Sequence, residues 1–297
     1  MTMKTMTRTA EPQTTEEAVA QPEQLTQRQA EQLAARRLTN WGQTLATRTS
    51  DPIAATALIE RVGIATLYPT SPELPNLLHA YTGDPTTQPT SDWESVSGDI
   101  YTWRWILGRR QAAFYTSLIR KRPTLVSWTL LPAVLRLWGE LRALDEAYDA
   151  GAFSKGAYQV AQALADAPEA TLTTGELRAA AGFPTGQRTA YLKAVEELDA
   201  KLLLAKVFSE DDQEMRHALV AVRYPDHVAA ADRLTRAEAL EALLRAYLPA
   251  AVYAQPIPLA RHLHLPEAEL RAGLERLAEQ GQARRIAIPG QKGVCYL

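Results

Sequence analysis

Two short signatures, Thr173 with Glu176 and Thr235 with Glu238, constrain this chain more than anything else in it. A threonine followed three residues later by a glutamate is a capping box, in which each side chain satisfies a backbone N–H left open at a helix start. What surrounds the two boxes is alike. Before the first lie a helical stretch, Ala157 to Ala165, and a short extended piece at Thr171–Leu172; after it come a turn at Gly182-Phe183-Pro184 and a longer helix from Gly186 to Leu198. Leu202–Phe208 and His217–Val222 then read as a hairpin around the acidic turn Glu210 to Glu214. The second box opens a helix to about Leu248, followed by a short helix at Pro258–Leu263 and a turn at His264-Leu265-Pro266. A third helix, Glu267–Glu279, ends at Gly281, and Ala283–Ile288 and Gly293–Leu297 flank the turn Pro289-Gly290-Gln291-Lys292. Helix, helix, turn, helix, hairpin is the order of a winged helix-turn-helix. The expected fold is therefore mainly α with small β-hairpins, with tandem winged helix-turn-helix domains at 154–224 and 235–297.

Upstream the pattern is less regular. Residues 1–24 are rich in Thr, Glu and Gln without apolar periodicity, which predicts a disordered tail. Residues 25–141 form an N-terminal helical, winged-helix-like domain. Thr26 is placed to cap a helix carrying Ala30, Leu33, Ala34 and Leu38, and Asp51 caps a second over Pro52–Arg61. Val62–Tyr68 reads as a strand. Residues 69–100 hold Pro69, Pro72, Pro75, Pro85 and Pro89 among many Ser and Thr and read as one long loop. Trp105–Arg120 is expected to be helical, stopped by Pro123, with a further helix through Pro132 and Arg136.

Charge is distributed unevenly. The formal net charge is −2, which argues against an indiscriminate nucleic-acid coat. Yet Arg104, Arg109, Arg110, Arg120, Lys121, Arg122 and Arg136 lie within one aromatic-rich stretch with Tyr101, Trp103, Trp105, Phe114, Tyr115, Trp128 and Trp138. Cys295 has no partner thiol for an intramolecular disulfide, and no run of 18 apolar residues or signal-like apolar core occurs, so a cytoplasmic, nucleoid-associated protein is expected. His262 and His264 are spaced i and i+2, which does not converge on one ion; no metal and no cofactor are expected. Neither Gly-x-Ser-x-Gly nor a phosphate-cradling glycine loop is present.

The segments Val62-Gly-Ile-Ala-Thr-Leu-Tyr-Pro69, Tyr101-Thr-Trp-Arg-Trp105, Arg109-Arg-Gln-Ala-Ala-Phe-Tyr115 and Thr124-Leu-Val-Ser-Trp-Thr-Leu-Leu-Pro132, with the two repeats, resemble the winged-helix family related to the AlkZ (YcaQ-type) DNA glycosylases. The resemblance implies a protein wrapped around double-stranded DNA in a basic channel, whose characterised members excise bulky alkylated purines or unhook crosslinks. Their catalytic motif is Gln, an aliphatic residue, then Asp or Gln. The matching place here is Ala65-Thr66-Leu67-Tyr68, which supplies neither a carboxylate base nor a water-orienting amide.

The expected DNA contacts are Arg104, Arg109, Arg110, Arg120, Lys121 and Arg122, the helix-start residues Gln187 and Arg188 with Lys193, and Arg284, Arg285 and Lys292 on the last hairpin. The bland reading of the same residues is a solvated helix face over core aromatics, and the Glu210-Asp211-Asp212 tip opposes phosphate. The favoured function is a DNA-binding protein of repair or damage response. One alternative is an active glycosylase, in which Asp92, Glu94 or Asp99 would have to replace the lost motif; the other is a transcription or protein-interaction module.

Overall fold

The computed structural model describes residues 21–209 and 214–297; most of the expected tail and most of the acidic turn lie outside them. Among the described residues the protein is mainly helical, with three small three-stranded sheets.

The first part of the chain runs β1 (Glu23–Gln24), α1 (Gln27–Asn40), α2 (Pro52–Val62), β2 (Ile64–Thr66), α3 (Leu77–Thr82), α4 (Val96–Arg109), β3 (Phe114–Ile119), β4 (Arg122–Val126) and α5 (Leu131–Trp138). Thr26 and Gln29 form a capping box at α1, and the Asp51 carboxylate accepts from the Ile53 and Ala54 N–H groups at α2. Strands β2, β4 and β3 form one antiparallel sheet in that order.

Two expectations fail here. The helix expected over Trp105–Arg120 stops at Arg109, and Phe114–Ile119 is a strand instead. Gln111 adopts φ 49°, which a right-handed helix forbids. Phe114, Tyr115, Thr116 and Ile119 are strand formers that gain a partner only when the chain folds back, with Phe114 opposite Val126 and Thr116 opposite Thr124. The stretch 69–100 is not one loop either: the Asn76 carboxamide caps α3 and the Ser95 hydroxyl caps α4. The polar residues that suggested a loop include those that start helices.

The middle part holds α6 (Leu144–Asp149), α7 (Lys155–Ala165), β5 (Leu172–Thr173), α8 (Thr174–Ala180), α9 (Arg188–Ala200), β6 (Leu204–Val207), β7 (Arg216–Leu219), α10 (Val220–Arg223) and α11 (Pro225–Asp232). The Thr173–Glu176 box is formed, and β5-β7-β6 is an antiparallel sheet. The last part is α12 (Arg236–Ala251), α13 (Pro256–Leu263), α14 (Glu267–Glu279), β8 (Arg285–Ala287) and β9 (Cys295–Tyr296), opened by the Thr235–Glu238 box. Its sheet is completed by β1, which pairs in parallel with β8, so Glu23 and Gln24 at the end of the expected tail are held in a strand.

Packing joins the two ends of the chain. Leu58, Ile59, Ile100, Leu107 and Val134 share one core with Leu240, Leu244, Leu270 and Tyr296. A separate cluster of Val160, Leu164, Tyr191, Leu198 and Leu204 lies in the middle part. The closure is also polar. From α1, Arg37 donates through Nε to the Ala251 carbonyl at 2.7 Å and through Nη2 to the Tyr253 carbonyl. Its Nη1 lies 3.6 Å from Glu73, whose carboxylate also accepts from the Tyr247 hydroxyl at 3.2 Å. The guanidinium sits 3.8 Å from the Tyr253 ring centroid. Each charged group here is compensated several times, as burial demands. The middle part meets the first at Phe208, whose ring meets Trp105 and Tyr115 edge-on at centroid distances of 5.2 and 5.6 Å.

Candidate nucleic-acid interface

The connection from β3 to β4 concentrates positive charge. Ile119 pairs with Arg122, so only Arg120 and Lys121 form the turn, and both take positive φ, 49° and 58°. A two-residue hairpin turn with both φ values positive follows the strand twist, but non-glycine residues there cost about 1–2 kcal/mol each. The turn and the first residue of β4 thereby present three consecutive cations.

Their surroundings differ. Arg120 Nη1 donates to the Thr70 carbonyl at 3.5 Å, and its charge, after desolvation, helps to hold the His262 pKa down. Lys121 Nζ lies 2.7 Å from Glu196 Oε1 on α9, both largely exposed. Arg122 is exposed with no ion pair among the described residues. Because Lys193 stands three residues before Glu196, it shares the helix face that meets the turn. Gln187 and Arg188 stand exposed at the start of that helix, roughly 12 Å from Glu196 at 1.5 Å per residue. The structure thus brings Arg120, Lys121 and Arg122 to the side of α9.

The cations of α4 lie elsewhere. They precede the start of β3, whose six residues put roughly 20 Å between its ends. Arg104 is half-buried, its guanidinium 3.5 Å from the Tyr101 ring centroid. Burial raises the Tyr115 pKa, and Arg104, hydrogen-bonded to it, opposes that rise. Arg109 donates from Nε to the Ser209 carbonyl at 3.2 Å and lies 5.6 Å from the Trp105 ring centroid. Arg110 is exposed at the helix end.

On the last hairpin Arg284 pairs with Glu23 at 3.1 Å. Arg285 is mostly buried and pairs with Glu275, whose carboxyl Arg285 and the Tyr296 hydroxyl hold low against the raising effect of burial. Lys292 is exposed and its backbone carbonyl accepts from the Gln255 carboxamide.

The Ala65–Tyr68 segment offers no chemistry of the expected kind. Ala65 and Leu67 are fully buried, Thr66 donates to the Tyr68 carbonyl at 2.8 Å, and the Tyr68 hydroxyl donates to the Ser97 carbonyl at 2.8 Å. Asp92 accepts from the Glu94 N–H, Asp99 accepts from the Tyr81 hydroxyl at 3.4 Å, and Asp92, Glu94 and Asp99 are all exposed. Among the described residues no three His, Cys, Asp or Glu side chains are grouped to hold a metal ion, and no helix is long and apolar enough to cross a membrane.

Arg261 precedes His262 and stands outside the set of contacts expected from sequence. The fold sets it at the end of α13, where it and Arg120 both act on His262. Gln43, 4% exposed, lines a pocket whose walls come from segments far apart in the chain.

Fold and site together define a mainly helical protein with three small sheets, in which a cationic β-turn is set against a helix of the middle part of the chain. A family model described as AlkZ related matches residues 50–254, and the chain belongs to that family. Among solved structures, Streptomyces sahachiroi DNA glycosylase AlkZ is similar in fold, with a TM-score of 0.54 and 16% identity over 89% of this chain and 69% of that one. No curated protein sequence matches the chain.

Proposed function

We propose that this protein binds double-stranded DNA in the cytoplasm as part of DNA repair or the damage response, using winged-helix units. The units run over residues 25–141, 154–224 and 235–297. In each, helices precede a hairpin, and a third short strand joins the sheet. The observation that carries the reading is the turn Arg120–Lys121–Arg122 lying against α9, which bears Arg188 and Lys193. Cations on a turn beside an exposed helix suit phosphates flanking a groove about 12 Å wide. Family membership and the likeness to a protein named as a DNA glycosylase point the same way.

Arg109, Arg110 and Lys292, exposed on other elements, are further proposed contacts. Arg104 and Arg285 are left out of the contact set, because their guanidinium groups are engaged within the protein and partly or mostly buried; Arg284, exposed and paired with Glu23 much as Lys121 is with Glu196, stays in it. The proposal covers binding and not hydrolysis, since Ala65–Tyr68 supplies no carboxylate or amide. Incubating the protein with alkylated duplexes and assaying for abasic sites tests the glycosylase alternative directly.

Duplex binding is measured by fluorescence anisotropy across a salt series. Arg120→Ala with Arg122→Ala lowers the slope of log K against log salt by about 2, one per lost phosphate contact. Arg28→Ala, an exposed cation on α1 outside the proposed set, leaves it unchanged. An unaltered slope in the turn variant refutes the proposed interface, and absence of duplex binding by the parent protein favours a protein-interaction module.

A further inference from the structure

We infer that the cavity at the seam between the two hydrophobic cores binds a small, uncharged apolar molecule the size of one benzene ring. The cavity has a volume of about 150 Å³, and its walls include Leu135, Leu144, Leu202, Leu203, Leu219 and Val228. Leu135 and Leu202 belong to the core that joins the two ends of the chain, and Val228 packs against it. Leu203 and Leu219 belong to the core of the middle part, against which Leu144 packs. The void lies where two cores abut without merging. None of the proposed DNA contacts lines it, so occupancy of the cavity does not depend on DNA binding.

Two adjacent leucines make the seam. Leu202, two residues past α9, adopts φ 52°, a left-handed conformation unusual for a residue with a Cβ. With that reversal Leu202 enters one core and Leu203 the other. On the facing side α5 stops before Gly139, and residues 140–143 lead into α6. The Glu140 N–H donates to the Lys201 carbonyl at 2.9 Å, which ties this link to the turn after α9. Both walls are pinned by backbone, and the space between them is left unfilled.

The polar groups at the mouth exclude a charged ligand. Glu140 and Arg142 line the cavity, but they are spent on each other: Arg142 donates from Nε to Glu140 Oε1 at 2.8 Å and from Nη2 to Oε2 at 2.6 Å. These hydrogen bonds hold the Glu140 carboxyl below its usual range. Among the described residues, no buried side-chain donor or acceptor lacking a partner lines the cavity. A polar group entering it loses water and gains nothing in return. Apolar cavities of about this size stay dry and take up benzene or xenon. Arg142, Ala143 and Ala221 are exposed where they line it, which provides an entry path. An occupant touches both cores at once and ties the middle part of the chain to the first.

The probes are fluorobenzene and 4-fluorobenzoate, followed by ¹⁹F NMR and by the leucine methyl signals of ¹³C-labelled protein. Fluorobenzene is expected to shift the Leu135 and Leu203 methyls, one from each core, in a saturable way. It also raises the thermal unfolding midpoint as its concentration rises. 4-Fluorobenzoate, the same ring with a charge, is expected to bind at least tenfold more weakly. Val228→Phe fills the space from a partly exposed wall position and lowers fluorobenzene affinity at least tenfold. Ala143→Phe, at the exposed mouth, lowers it at least threefold and serves the same purpose should Val228→Phe fail to fold. Absence of a saturable shift overturns the inference. Equal binding of the benzoate does so too, as does undiminished binding by either variant in its folded state, which puts the ligand elsewhere.

Discussion

Gly108, in the last turn of α4, separates a local argument from a tertiary one by sign. By helix propensity alone, Gly108→Ala stabilises by about 0.5–1 kcal/mol. The structure predicts the reverse, because a Cβ at residue 108 falls 2.2 Å from Phe208 Cδ2 and 2.4 Å from Cγ. Those atoms sit near the root of the ring, so the whole side chain must move. Displacing it forfeits about 1.5–3 kcal/mol of burial. It also breaks the edge-on contacts with Trp105 and Tyr115, worth about 0.5–1.5 kcal/mol each. Net of the propensity gain, Gly108→Ala destabilises by about 2–5 kcal/mol, read as a lower urea midpoint by far-UV circular dichroism. In a Phe208→Ala background the same substitution regains its stabilising sign. A midpoint at or above that of the parent, or the same sign in both backgrounds, refutes the packing argument.

Three further outcomes follow from buried polar groups. Burial, with Lys206 adding to it, drops the His217 pKa to about 3. Lys206 Nζ, which only donates, lies 3.3 Å from Nδ1, so neutral His217 presents Nε2–H to the Thr174 hydroxyl at 3.1 Å. The unfolded chain takes up this proton below about pH 6.5 while the folded one does not. Stability is therefore lost as pH falls from there toward 3, at up to about 1.4 kcal/mol per unit, and His217→Gln flattens that slope in urea titrations; an unchanged slope contradicts it. The Cys295 thiol is fully buried and pushed up to about 11 by burial, so it resists a thiol-reactive dye at neutral pH until urea unfolds the protein. Rapid stoichiometric labelling of the native protein argues against that burial. Arg37→Met strands Glu73 and two carbonyls and destabilises by about 3–5 kcal/mol; adding Glu73→Gln recovers part of the loss in thermal unfolding, whereas additive losses disprove the coupling.

Sequence alone determined what rests on neighbours a few residues apart. The boxes at Thr173 and Thr235, the Asp51 cap and the two hairpins after the repeats are all present, because capping and turning are settled within one helical turn. Tertiary structure decided what depends on partners far along the chain. Phe114–Ile119 became a strand because β4 pairs with it, overriding a stretch that reads locally as helix. It also sorted the cations, pairing Arg284 with Glu23 and Lys121 with Glu196 while leaving Arg122 exposed, and it assembled the Gln43 pocket from segments between Ala34 and Tyr253. A side chain's charge is written in the sequence; whether that charge is free for a ligand depends on which distant group folds against it.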